Sequence, residues 1–206
     1  MKRCFALFSI YFCFVFTGCG SKELTRSRAA EIIAKNIHFP EVITGQIRLG
    51  HLSTEETSFE KFTSANPGGI WYKILSEKGQ LSLSWQGISK STSGVYTVNW
   101  GNVFVVLNPS GTKYQLGPEQ DDATGKYINV KLCDKQFDEV TGITAIDQSN
   151  ATVEYKWKFE NLTPFGNAQI DMERQMGGRW AACSQRGVRI VSVRMRRYDD
   201  GWRFLQ

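Results

Sequence analysis

The chain of 206 residues has only two histidines, His38 and His51, and they stand apart in the sequence. Zinc sites need several His or Cys ligands in register, so the histidines alone do not make one. His38 precedes Phe39-Pro40, where a helix end would favour a cation. Both histidines have the ordinary reading of a helix end or a surface position. The five cysteines include no Cys-x-x-Cys. Gly-x-Ser-x-Gly is absent, and Ser91-Thr92-Ser93-Gly94 has no histidine beside it to serve as a base, so it reads as a loop. Neither a phosphate-binding Gly-x-x-x-x-Gly-Lys-Ser/Thr nor a dinucleotide Gly-x-Gly-x-x-Gly occurs. Asp121-Asp122 and Asp199-Asp200 are adjacent carboxylates, and neighbours on a strand point to opposite faces, so both pairs read as turns. No catalytic residue, metal site or cofactor is expected.

A long apolar run is also missing. The best one, Cys4 to Phe16, is broken only by Ser9 and the phenol of Tyr11. It is shorter than the roughly 20 residues that cross a bilayer. Lys2 and Arg3 precede it, and the small residues Thr17 and Gly18 follow, which is the pattern of a secretory signal peptide over residues 1–18.

Phe16-Thr17-Gly18-Cys19 resembles the lipobox of bacterial lipoprotein precursors, with Phe16 where Leu is usual. The resemblance covers the targeting segment alone. It implies cleavage before Cys19, acylation of the Cys19 thiol, and attachment to the membrane through N-terminal acyl chains. Two or more chains give a stable anchor, since each buried CH₂ contributes ~0.8 kcal/mol. A plain secreted protein cut nearby is the rival reading. Gly20 and Ser21, with no Asp after the cysteine, imply by the family's sorting rule an outer membrane facing the periplasm in a host with two membranes.

Losing residues 1–18 removes Lys2 and Arg3 and no acid, so the net charge of +5 falls to +3. That mild excess, together with export, argues against nucleic acid as a partner. Cys4 and Cys13 leave with the signal and Cys19 is acylated, so Cys133 and Cys183 remain as a pair in an oxidising compartment. A disulfide, two free buried thiols, and a redox or metal role are the readings open to them.

The mature sequence predicts an α+β protein, with N-terminal helices, then antiparallel strands and hairpins, then a curved antiparallel meander with a short helix. Apolar residues recur at helical spacing from about Arg26 to Ile37, with Thr25 as N-cap and Pro40 as stop. A second helix is expected from Ser53 or Thr54, with Glu55 and Glu56 in its first turn. Gly68-Gly69 would separate it from a third that ends at Gly79. Leu81, Leu83 and Trp85 then alternate with polar residues as a strand, and strands over 94–100 and 103–108 follow. A turn at Asn108-Pro109-Ser110-Gly111 leads to a return strand, Thr112 to Leu116. From Ile74 to Leu116 this order resembles the winged-helix arrangement, without the basic recognition helix that DNA binding uses.

Residues 19–24 are expected to form a lipidated tether, 25–116 the winged-helix-like region, 117–125 a polar linker, and 126–206 the meander. Val153, Tyr155, Trp157 and Phe159 alternate with polar neighbours in the clearest strand pattern of the chain. It is preceded by strands at Lys126–Asp134 and Glu139–Ile146, and followed by a short helix within 164–178. A hairpin with Asp200-Gly201 as its type I′ turn ends the chain. The meander resembles cystatin-like or NTF2-like cones, a likeness of fold that names no function.

The arginines Arg186, Arg189, Arg194, Arg196 and Arg197 are the most suggestive patch. On a strand, Arg194 and Arg196 share one face, and Val191, Val193 and Met195 the other. One reading is a surface for an anionic partner, whether lipid headgroup, cell-wall polymer or acidic protein. The other is a solvated face paired with acids such as Glu154 and Glu160. The sequence as a whole points to a non-enzymatic, lipid-anchored envelope protein that binds an envelope protein or polymer. The alternative is a small-molecule binder or enzyme with a cone-shaped pocket walled by Tyr155, Trp157 and Trp202, where Arg194 or Arg197 would fix an acidic ligand.

Overall fold

The computed structural model describes residues 23–93, 95–184 and 189–205. The expected signal peptide, Cys19 and Arg186 lie outside these residues. The protein is α+β with antiparallel strands. Helix α1 (Arg26–Asn36) forms where the periodicity places it: the Thr25 hydroxyl accepts from the Arg28 N–H at its N-cap, and Ala29, Ile32 and Ile33 make its buried face. The chain turns at His38, whose φ of 55° lies in the left-handed region, and enters β1 (Glu41–Arg48).

At Gly50 (φ 74°) the chain bends again into β2 (Gly50–Thr54). Ser53 and Thr54 are thus the end of a strand and not a helix start. Helix α2 is Phe59–Ala65, capped by Ser58, whose hydroxyl accepts from the Lys61 N–H. Gly68-Gly69 does not separate the helices either. Asn66 caps α3 (Pro67–Glu77), Pro67 opens it, and both glycines lie in its first turn. A Cβ on Gly69 would stand 1.8 Å from the Phe62 carbonyl oxygen, so the α2–α3 contact requires a residue without a side chain. Gly79 (φ 69°) ends α3 as the sequence predicts.

β3 (Leu81–Ser93) and β4 (Tyr96–Leu107) form one long hairpin, and β2 pairs with the other edge of β4, giving a three-stranded sheet of order β2-β4-β3. Asn108-Pro109-Ser110-Gly111 is not a hairpin turn. Pro109–Thr112 forms a short helix, α4, after which β5 (Gln115–Asp122) pairs with β6 and not back onto β4. Residues 117–125, expected to link two regions, therefore belong to the β5–β6 hairpin.

β6 (Gly125–Ala145) is a single strand where the sequence suggests two. Irregularities at Phe137/Glu139 and Val140/Gly142 bend it, because an extra residue breaks the ladder and increases local twist. Its first half pairs with β1 and β5, and its second half with β7 (Asn150–Glu160). Helix α5 (Pro164–Met176), capped by Thr163, leads on to β8 (Arg189–Tyr198) and β9 (Gly201–Leu205). The larger sheet runs β1-β6-β7-β8-β9, with β5 also on β6, and it curls into a half-barrel.

Two clusters fill the molecule. α1, Val140, Val153, Tyr155 and Met195 pack within the curl. The other core joins Ile47, Leu75, Val103 and Val105 from before residue 117 to Ile128, Leu132 and Phe165 after it. Cys133 and Cys183 are buried here and joined by a disulfide, with Cα atoms 6.3 Å apart. No helix among the described residues is long and apolar enough to cross a membrane.

Candidate functional site

β8 alternates as its sequence predicts. Val191, Val193 and Met195 pack toward α1, while Arg194, Arg196 and Tyr198 are exposed on the convex side of the sheet. Pairing with β7 sets Arg194 opposite Thr152 and Arg196 opposite Asn150. On the other side, β9 sets Arg194 opposite Leu205 and Arg196 opposite Arg203. Two like charges thus occupy a directly opposed pair, an arrangement that destabilises a hairpin unless something compensates.

Tyr198 supplies part of that compensation. The Arg196 guanidinium lies 5.7 Å from its ring centroid and that of Arg203 lies 5.1 Å away, where the negative face of the ring attracts a cation. Arg203 also pairs with Asp200 in the turn, and this hydrogen bond holds the Asp200 carboxyl below its ordinary pKa. Asp147, in the β6–β7 turn, is lowered chiefly by hydrogen bonds from the Asn150 side chain and the Ser149 N–H, with a smaller contribution from Arg196.

Among the described residues, Arg194, Arg196 and Arg197 make no ion pair. Glu154 lies across from Ser192, and Glu160 is bonded to Lys158 at 2.8 Å, so neither acid expected to neutralise this face reaches it. Arg197 has the other parity. It is opposite Trp202, half-buried, and its backbone N–H donates to the Ser149 carbonyl. Sequence reasoning misses Arg203 altogether. Its signal is the hairpin register, which follows from where the turn is placed.

The expected cone walls are divided. Tyr155 is buried against Phe39 and Phe137. Trp202 packs in the cluster around α1. Trp157 lies between two cations, with Lys135 4.8 Å and Arg189 5.1 Å from its ring. Arg194 projects from the opposite side of the sheet. His38 stays at the end of α1, with its Nδ1 3.1 Å from the Lys35 carbonyl oxygen.

His51 is against Phe104, with rings 4.7 Å apart, on the rim of an open groove of about 700 Å³. Phe104 and Val106 line the groove with the β5–β6 residues Gln115, Glu119 and Asp121. No group of three or more His, Cys, Asp or Glu among the described residues is placed to hold a metal ion. Protein-family models, curated proteins and solved structures all give no match to this chain.

Proposed function

We propose that the protein is a membrane-anchored envelope lipoprotein without enzymatic activity, held by acyl chains on Cys19 and binding an anionic envelope component through the convex face of β8 and β9. The observation that carries the binding surface is the opposed pair Arg196 and Arg203, beside Arg194: among the described residues Arg194 and Arg196 make no ion pair, and Arg203 pairs with Asp200 in the turn. An arginine fork grips phosphate or carboxylate in a planar, bidentate way, and bringing an anion here relieves the repulsion built into the hairpin. The anchor rests on the lipobox resemblance at Phe16 to Cys19.

A ligand-binding cone has less support, because α1 and Phe39 fill the concave side that would form it. The order β2-β4-β3, with α2 and α3 ahead of a long hairpin, supports a winged-helix likeness in shape. Helix α3 is not a basic recognition surface: Lys73 faces Glu77 on the same helix, and Lys78, at its end, pairs with Asp171.

Both parts are tested with the full chain. At about 1 M salt, where electrostatic attraction to lipid is screened, wild-type protein should stay with membranes and Cys19→Ala should be released; equal retention of the two overturns the anchor. The Cys19→Ala chain should cosediment with phosphatidylglycerol-containing vesicles in a salt-dependent way and ignore phosphatidylcholine alone. Replacing Arg194 and Arg196 by Glu should abolish that binding. Binding unchanged by the charge reversal overturns the arginine surface.

A further inference from the structure

The groove beside His51 and Phe104 has a volume of about 700 Å³, within the roughly 300–1,000 Å³ of small-molecule sites. It forms where β1 bends into β2 beside the start of β6. The Leu49 N–H donates to the Lys126 carbonyl at 2.9 Å, which ties the bend to that strand. Gly50 and Gly125 stand here with φ of 74° and 109°, and a Cβ built on either meets nothing within 4 Å, so the space beside both is open. Val105 and Ile128, both buried, belong to the apolar lining, and Phe104 and Val106 extend it toward solvent, with Val106 46% exposed. An apolar lining with a few placed polar groups is the make-up of a ligand site.

The polar wall comes from the β5–β6 hairpin, and alternation along β5 decides which acids reach it. Asp122 turns to the other face, where it accepts from the Arg48 guanidinium at 2.6 Å. Glu119 and Asp121 share the groove face. Lys126, directly opposite Asp121, donates to Glu119 at 2.7 Å. That bond, with a smaller contribution from Asp121, holds the Lys126 pKa above its ordinary value. Asp121 itself makes no ion pair among the described residues. Two carboxylates thus face a single ammonium, and one negative charge is left in excess on the groove. The chain as a whole is basic, at +5, so this wall runs against the charge of the rest of the molecule.

We propose that the groove binds a small apolar amine, with its ammonium beside Glu119 and Asp121 and its hydrocarbon body along Phe104 and Val106. Burial of the body supplies the affinity. The ammonium supplies the selection. It completes the charge balance that Lys126 leaves unfinished, and its N–H groups meet carboxylate acceptors, a charge-assisted hydrogen bond. An acid with the same body would meet the excess negative charge instead. An aromatic body gains further from the Phe104 and His51 rings, which lie 4.7 Å apart. The groove shares no residue with the arginines of β8 and β9 and carries the opposite charge. The amine site is therefore independent of the anionic partner assigned to those arginines.

Phenylbutylamine and phenylbutyrate, probes with one body and opposite charges, test this. Each is titrated into the isotope-labelled full chain carrying Cys19→Ala, without detergent, and followed at the Gly50 and Gly125 amide resonances. The amine should move both resonances saturably with a Kd of about 1 mM, the scale for a ligand of its size. The acid should bind at least ~5-fold more weakly, since one probe gains an exposed ion pair where the other meets repulsion. Replacing Glu119 by Gln and Asp121 by Asn together leaves Lys126 alone and should reverse the order of the two probes. Val106→Ser, at an exposed position, should weaken both alike, and matched thermal transitions confirm that each variant is folded. Equal binding of amine and acid, or an order unchanged in the double variant, overturns the inference. So does the absence of saturable shifts up to about 20 mM amine. Methylamine binding as tightly as phenylbutylamine, or probes indifferent to Val106→Ser, reduces the site to surface charge and overturns it as well.

Discussion

Arg196 on β8 and Arg203 on β9 are directly opposed across the C-terminal hairpin, with the ring of Tyr198 within cation–π distance of both. The hairpin therefore stores a repulsion that its own residues only partly offset. Removing one charge should relieve it. Arg196→Gln is expected to raise the thermal midpoint at low salt and to converge with wild type at about 1 M salt, where the Debye length is about 3 Å. Thermal scans at the two salt concentrations check this. A lower midpoint in the variant at low salt would show that stacking on Tyr198 outweighs the repulsion.

The disulfide between Cys133 and Cys183 ties β6 to the segment after α5 and lies wholly in the core. With a sequence separation of 50 residues, the chain-entropy relation gives it about 4 kcal/mol. Replacing both cysteines by alanine should lower stability by that order, which for a chain of this size is a midpoint lower by about 10 °C. Denaturant titration in the presence and absence of reductant measures the same quantity on the wild type. The variant should show no response to reductant.

Local patterns in the sequence carry the elements better than their pairing. Thr25, the i, i+3, i+4 spacing of Ala29, Ile32 and Ile33, and Pro40 define α1 without reference to any other part of the chain. Val153 to Phe159 alternate with the period of a half-buried strand and form one. What the sequence does not show is which edge meets which. Thr112 to Leu116 looks like the return of β4, yet β5 pairs with β6, because that choice depends on non-local burial of Leu132 and Ile128. The same holds for the arginine site. A turn centred on Asp200-Gly201 would set Arg203 opposite Tyr198. The structure turns at Asp199-Asp200, with Gly201 taking the positive φ (128°), and sets Arg203 opposite Arg196. A slip of one residue in the turn changes every cross-strand partner.

Asp134 is a buried carboxylate on which stability at acid pH should depend. It is buried, which disfavours its charge, but hydrogen bonds from Lys131 at 2.7 Å and Asn161 at 2.9 Å outweigh that cost and bring its pKa below the ordinary value. Asn161, at φ 53°, starts the connection from β7 to α5, so the contact holds that connection against β6. A carboxyl with a lowered folded pKa binds protons more readily when unfolded, so its stabilisation is full above about pH 4 and is lost as pH falls through the folded value. Asp134→Asn removes the charge while keeping the shape. It should cost about 1–3 kcal/mol at pH 7, the range for leaving a partly buried cation without its partner. The difference from wild type should shrink steadily below about pH 4. Denaturant titrations at pH 7 and at about pH 3 measure it; a difference that does not change with pH would mean that the Asp134 charge contributes nothing to the fold.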